Sequence, residues 1–327
     1  MLRVAMLSQW HVHAWDYAKQ IRSMENAQIT AVWDEIPARG EIWAKELGVE
    51  FEADLQTLLE RADVDAVVVN TPTNLHGKVM VAAANAGKHI FTEKVMALTV
   101  KECEEIAEAV RSNGVKFCIS LPHRTFPHNL FAKRVVEEKL LGDITLLRVR
   151  NAHNGATAGW LPPHFYDANQ CGGGAMIDLG AHPMYLVRWL LGKPSRISSV
   201  FSSFTGKPVE DNAVSVIEFE NKAVGIAETG FVSSDSPFSM ELYGTNGTLF
   251  IGGPENKVRL ISDKTGGVHG WTVPADLPDA LPSAMKQWVD GILEGSEILF
   301  GLEEGIQLTE LMEAAYTSHR EKRHVEF

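Results

Sequence analysis

At 327 residues the chain exceeds what one hydrophobic core usually supports, so two domains are expected. With 45% hydrophobic and 22% charged residues it has ordinary globular composition, which argues against long disordered tails. A net charge of −12 with no basic run argues against a nucleic-acid partner, because polyanion affinity comes from clustered Lys and Arg.

The opening run, residues 1–7, is interrupted too soon by Ser8 and Gln9 for a signal peptide or a membrane span, and reads as a buried first strand. From residue 1 to about 122, short apolar runs alternate with helical stretches. Strands are expected over 4–7, 29–33, 66–70, 89–92 and 116–120, separated by segments long enough for right-handed crossovers. Pro37 suits a first helical turn and Gly48 its end; Thr99-x-x-Glu102 is a capping box, and Gly87 and Gly114 suit C-terminal caps. Beyond 122 a helix is expected around 130–140, followed by strands over 143–150, 214–220 and 223–231 with few helices between them. The turn at 219–222 suggests a hairpin, and one face of the resulting sheet is expected to meet another subunit. Helices near 283–293 and 305–318 close the chain. The fold class is therefore α/β. An N-terminal, doubly wound parallel sheet of the Rossmann type covers 1–122, and an α+β domain with a large, mostly antiparallel open sheet covers 123–327. The three cysteines, Cys103, Cys118 and Cys171, lack C-x-x-C spacing, so neither a disulfide framework nor a thiolate zinc site is expected and a reducing cytoplasm fits.

Three clusters can carry chemistry. The second strand ends in Asp34, placed as the acid that accepts hydrogen bonds from an adenosine ribose. Glu35 follows it, so a 2′-phosphate would meet like charge and NAD is favoured over NADP. The first turn, Ser8-Gln9-Trp10-His11-Val12-His13, contains no glycine; a G-x-G-x-x-G fingerprint would align with Ser8, Trp10 and His13. Phosphate is then expected at the helix N-terminus, on free N–H groups, with His11 and His13 as added donors. A His-x-His metal pair is conceivable there, but no carboxylate or third histidine lies nearby in sequence, and no metal is expected. The second cluster comprises Asn70-Thr71-Pro72-Thr73-Asn74-Leu75-His76 and the stretch from Ala86 to Glu93-Lys94. Both parts sit at carboxyl ends of parallel strands, where ligands of open α/β sheets bind, so Lys94 is placed to face nicotinamide and substrate. The third runs from Gly172 to His182. If the residues after the glycines are helical, Asp178 and His182 share one face, and the glycines permit close approach to a ligand or a neighbouring domain. Lone examples of such acids, lysines and Asp-His pairs are more often solvated surface groups; three titratable groups in one cleft would be an acid-base site.

Taken together, Thr71-Pro72-x-x-x-His76, Ala86-Gly87-Lys88-His89-x-x-x-Glu93-Lys94, Gly172 to His182 with Arg188-Trp189-Leu190-Leu191-Gly192, and Tyr243-Gly244-Thr245-Asn246-Gly247 resemble the glucose-fructose oxidoreductase and inositol dehydrogenase family, Gfo/Idh/MocA, over nearly the whole chain. The resemblance implies a Rossmann domain carrying NAD(P) and a second domain whose sheet forms homodimers or homotetramers. It also implies hydride transfer at a hydroxyl carbon of a sugar, sugar derivative or cyclitol. Lys94, Asp178 and His182 occupy the family's catalytic positions: His182 as general base, Lys94 stabilising the alkoxide, Asp178 orienting or balancing them. Cofactor contacts are then expected from Ser8, Trp10, His11, Val12, Asp34, Thr71, Pro72, Asn74, His76, Glu93 and Lys94. Arg124, His153, Trp160, His164 and Tyr166 are expected toward the substrate. Two further departures stand out. Val95 replaces the proline that takes a cis peptide cheaply, and Tyr185 stands where many members have an acid, so substrate contacts should differ. NAD-dependent glycoside cleavage and a non-catalytic nucleotide sensor are the competing readings; retention of Lys94, Asp178 and His182 together argues against the sensor.

Overall fold

The first strand, β1 (Leu2–Leu7), is apolar at nearly every position and all but Arg3 are buried, as the central strand of a parallel sheet covered on both faces requires. In the computed structural model, which describes residues 1–264 and 270–327, it is followed by α1 (Ala14–Arg22), β2 (Ala27–Trp33), α2 (Pro37–Leu47), β3 (Glu50–Phe51), α3 (Leu55–Glu60) and β4 (Ala66–Val69). Then come α4 (His76–Asn85), β5 (His89–Thr92), α5 (Val100–Ser112) and β6 (Phe117–Ile119). The caps behave as read: Pro37 occupies the first turn of α2, Gly48 closes it at φ 70°, and Thr99 and Glu102 form both halves of the capping box of α5. The sheet is parallel in the order β3-β2-β1-β4-β5-β6. Its direction of growth reverses between β1 and β4, which makes the carboxyl ends of these strands the ligand-binding edge.

From residue 121 the elements are α6 (Pro127–Glu137), β7 (Ile144–Ala152), α7 (Ala168–Cys171), α8 (Ala181–Leu191), β8 (Pro194–Ser202), β9 (Asn212–Phe219), β10 (Val224–Gly230), β11 (Ser239–Gly244), β12 (Gly247–Gly252) and β13 (Lys257–Ser262). After α9 (Ala284–Leu293) and α10 (Leu302–Glu321), a short β14 (Val325–Glu326) completes an eight-stranded sheet in the order β13-β12-β11-β7-β10-β9-β8-β14. Among the described residues, only the β7–β10 pair in this sheet is parallel. One face is buried beneath α8, and Gly225 lets that helix approach: a Cβ there would stand 2.3 Å from Val187 Cγ1. The other face carries Val200, Val214 and Val216 exposed.

Three sequence expectations change. The chain divides into Met1–Ser120 with Pro282–Thr309, and Leu121–Leu281 with Glu310–Phe327, so the first unit is not the continuous 1–122. The reason is apolar cover: Trp288 of α9 is fully buried with its ring 5.7 Å from Phe91, and Ile119 N donates to Phe300 O at 2.8 Å. The helix expected at 130–140 begins at Pro127, where proline serves the first turn, and ends at Glu137. Residues 172–180 are bends and turns, and α8 begins only at Ala181, so Asp178 precedes the helix that carries His182. Glu210 causes this: its Oε1 accepts from Gly174 N (3.0 Å) and Met176 N (2.9 Å), and its main-chain oxygen accepts from Ala175 N (2.8 Å).

Candidate active site

At the carboxyl end of β2, Asp34 is 1% exposed and its carboxylate is fully engaged. It accepts from Gln9 N (2.9 Å), Ile36 N (2.8 Å), Arg39 Nε (2.9 Å) and Arg39 Nη2 (2.8 Å), which matches the roughly four lone-pair sites of a carboxylate. Arg39 also donates to Glu35 Oε1 and to Ser8 Oγ at 3.1 Å. Sequence reasoning missed this arginine; its i,i+4 spacing from Glu35 on a helix starting at Pro37 was the available signal. Two acids still outnumber one guanidinium here.

The glycine-free turn folds on itself. Ser8 takes the left-handed conformation (φ 72°) that glycine usually supplies, and its Oγ accepts from Trp10 N at 3.0 Å. His11 N donates to Asn70 O (3.1 Å) and His13 N to His11 Nδ1 (3.3 Å), so these amides, expected to be free for phosphate, face inward. Trp10 and His11 are buried, whereas Val12 is exposed. At the end of β4, Asn70 is fully buried and neither Nδ2 nor Oδ1 has a partner among the described residues; nor has Thr71 Oγ1. Buried polar atoms are rarely left in this state, and these lie at the switch point of the sheet. A nicotinamide dinucleotide would satisfy them, so the residues present fit that cofactor. Pro72 and Asn74 flank and form the short 3₁₀ turn that follows.

Glu93, 2% exposed at the end of β5, gathers a cluster. His13 Nδ1 lies 2.7 Å and His11 Nδ1 3.6 Å from its Oε1, Tyr17 Oη donates to the same oxygen, and Lys94 N donates to Oε2 at 2.9 Å. Burial opposes ionisation, yet the two imidazoles and Lys94 hold the carboxyl well below the usual carboxylate range. Burial and Glu93 push the Tyr17 phenol well up. The Lys94–Val95 peptide is cis although Val95 replaces proline. His76 is buried and braces this loop: Nδ1 is 3.0 Å from Val95 O and Nε2 is 3.2 Å from Thr71 O. Burial lowers its pKa.

In the second unit His182, 8% exposed on the first turn of α8, has Nδ1 2.9 Å from Tyr185 Oη. Tyr185 Oη in turn accepts from His123 N at 3.1 Å. The His123 ring stands 4.7 Å from His182 and 5.0 Å from Phe238, and its Nδ1 has no partner among the described residues. Burial, with a smaller contribution from His128, lowers the His123 pKa to about 4. His123 gave no sequence signal beyond its place beside Arg124.

Asp178 stabilises the charged form of His153, although burial outweighs it and lowers that pKa. His153 stacks on Phe231 (5.2 Å, 11° between planes) with Trp160 4.6 Å away, so these two expected substrate residues meet. Tyr166 packs against the small core of Leu161, Phe165, Ala175 and Phe231. The His164 ring lies 4.8 Å from Phe165, and its main-chain oxygen accepts from Cys171 Sγ. Arg124 lies over the Trp189 ring at 5.1 Å, on α8.

Residues 9–121 match the model of an oxidoreductase family with an NAD-binding Rossmann fold, and residues 130–250 match the GFO/IDH/MocA C-terminal domain. The chain is 30% identical over 262 residues to scyllo-inositol 2-dehydrogenase (NAD(+)) of Bacillus subtilis (strain 168), covering 77% of this chain and 74% of that protein. It is 25% identical over 323 residues to inositol 2-dehydrogenase of Rhizobium meliloti (strain 1021), covering 94% of each. Among solved structures, aldose-aldose oxidoreductase from Caulobacter crescentus complexed with glycerol superposes with a TM-score of 0.83 at 25% identity, over 100% of this chain and 99% of that one.

Proposed function

Because the chain belongs to the GFO/IDH/MocA oxidoreductase family, we propose that it is an NAD-dependent dehydrogenase acting on a hydroxyl carbon of a cyclitol or sugar. The observation that carries the reading is His182, buried and fixed through Nδ1 by Tyr185. With Nδ1–H donated to the phenol oxygen, Nε2 keeps a lone pair for the alcohol proton. Tyr185 thereby does the orienting work of the acid that many relatives carry at this position. When bound, the nicotinamide supplies the hydride acceptor. Lys94 is assigned to the developing alkoxide and Asp178 to charge balance with His153, in keeping with the electrostatic coupling of that pair. Asn70 and Thr71 are assigned to the cofactor, as are the outward atoms of the first turn.

The names of the two inositol dehydrogenases direct the first assay to inositols, then aldoses. NADH formation from NAD with one of these polyols is expected; a protein that binds NADH yet oxidises none of them, and instead cleaves a glycoside without net NADH release, would replace this reading.

The open face of the eight-stranded sheet, with Val200, Val214 and Val216 beside the Arg148–Glu228 and Arg148–Glu241 pairs, is assigned to a homo-oligomer. Val216→Arg should dissociate it in light scattering. No described helix is long and apolar enough to cross a membrane. Three buried cysteines held as thiols rather than in disulfides support a reducing compartment, the cytoplasm.

A further inference from the structure

We propose that His11, His13 and Glu93 form a binding site for one divalent transition-metal ion of the zinc class, held by two imidazole nitrogens and one carboxylate oxygen. The inference stands apart from the dehydrogenase reading, since it rests on the geometry of these three residues and is read out by metal uptake rather than by turnover. The ligand atoms of the three residues all lie within 4.8 Å of one another. Ligands placed 2.0–2.2 Å from a tetrahedral zinc stand about 3.3–3.5 Å apart. The His11 Nδ1 to Glu93 Oε1 distance of 3.6 Å is already close to that spacing, and the 2.7 Å of His13 opens to it by less than 1 Å.

The placement of His11 Nδ1 points the same way. His11 Nδ1 lies 3.3 Å from the His13 amide nitrogen and 3.6 Å from Glu93 Oε1, so one nitrogen faces both. A metal ion between the nitrogen and the carboxylate would serve both, taking the place that a proton on Nδ1 holds in the His11–Glu93 ion pair. The amide contact is at the long end of the hydrogen-bond range and yields readily to a metal bond.

Three features give the site the character of a built one. The carboxylate is oriented from outside the cluster, by Tyr17 Oη on Oε1 and Lys94 N on Oε2, the kind of outer partner that tunes metal ligands. The turn is pinned to the sheet by His11 N on Asn70 O, which fixes both histidines relative to β5 across the end of β4. His11 and Glu93 are buried, with 6% and 2% of their side-chain surface exposed, while His13 is 43% exposed and offers the way in. Two nitrogens and one oxygen disfavour magnesium and calcium, which take oxygen ligands, and favour zinc and its neighbours. Three protein ligands leave at least one position for water or an anionic oxygen.

The test uses the full-length protein, stripped by chelator dialysis and titrated with ZnCl₂ against a chromophoric chelator. One Zn²⁺ per chain is expected. His13→Ala and Glu93→Gln should each weaken it by at least about a hundredfold, the upper end of what even an outer-shell partner contributes. His324→Ala, at an exposed histidine near the C-terminus, should bind as wild type. With Co²⁺ in place of Zn²⁺, the visible ligand-field band should vanish in His11→Ala. No stoichiometric uptake by wild type, or unchanged affinity in His13→Ala, overturns the site; so does equal loss in His324→Ala. Should Glu93→Gln fail to fold, the half-exposed His13 keeps the question decidable.

Discussion

Two turns in this protein lead from a strand or loop into a helix, and they treat glycine in opposite ways. The Ser8–His13 turn has none, although a dinucleotide fold normally needs it there; the segment from Gly172 to Gly180 has four, although no strand precedes it. In the first, a side chain does the work: Ser8 adopts φ 72° and its hydroxyl holds Trp10 N and Arg39. In the second, the missing side chains make room for the protein itself. A Cβ on Gly173 would stand 1.9 Å from Tyr316 Oη, and one on Gly174 would stand 2.1 Å from Glu210 O. Glycine therefore reports where backbone must pass close to something, and that something need not be a ligand.

The comparison can be broken most forcefully at the end of the glycine segment. If its turns exist to deliver His182, then His182→Ala should lower turnover by about a hundredfold to ten-thousandfold while NADH affinity stays near wild type. Turnover near wild type on an identified polyol would detach the segment from catalysis. Gly173→Ala should destabilise by about 1–3 kcal/mol, because Tyr316 is fixed by Glu210 at 2.6 Å and has little room to yield. Thermal unfolding at unchanged Tm would show that the close approach is not needed.

His123 sharpens the same region through pH. Its folded pKa of about 4 lies below the unfolded value of about 6.5, so the unfolded chain binds the extra proton between them. Stability is complete above about pH 6.5 and declines as pH falls toward 4, by about 1–3 kcal/mol from this group. Denaturant midpoints at pH 7 and pH 4.5 should differ less in His123→Gln than in wild type; equal differences would remove His123 as the cause.

The glycine-free turn is tested through its neighbours. Asp34→Asn with Glu35→Gln leaves Arg39 unopposed beside Ser8. Charged hydrogen bonds contribute roughly 1.5–3 kcal/mol, so NADPH should gain about tenfold to a hundredfold relative to NADH in fluorescence titrations. An unchanged ratio would mean that Arg39 does not reach the ribose. The smallest effect is expected for Ser8→Gly, which relieves a left-handed residue but deletes two hydrogen bonds. Its stability should stay within about 1 kcal/mol of wild type by denaturant unfolding.

The parallel sheet was legible because its strands are short apolar runs closed by explicit stops: Gly48, Gly87, Gly114, Pro37 and the Thr99 capping box act through local backbone chemistry that needs no partner. The family pattern was legible for the same reason, as it consists of contiguous stretches. Asp34, Lys94 and His182 stand out as candidates because each follows the end of a strand or lies at the opening of a helix. The remainder depends on residues distant in sequence. Glu93 stands 80 positions from His13, so a histidine pair that seemed to lack a carboxylate acquires one only when β1, β4 and β5 align. Glu210 and Tyr316 decide that residues 172–180 turn and do not coil into a helix, and Trp288 decides that a late segment joins the first unit. Local stops and periodicity are written in neighbouring residues, whereas the partner of a buried charge and the cover of a sheet are chosen by packing, which no stretch of sequence contains by itself.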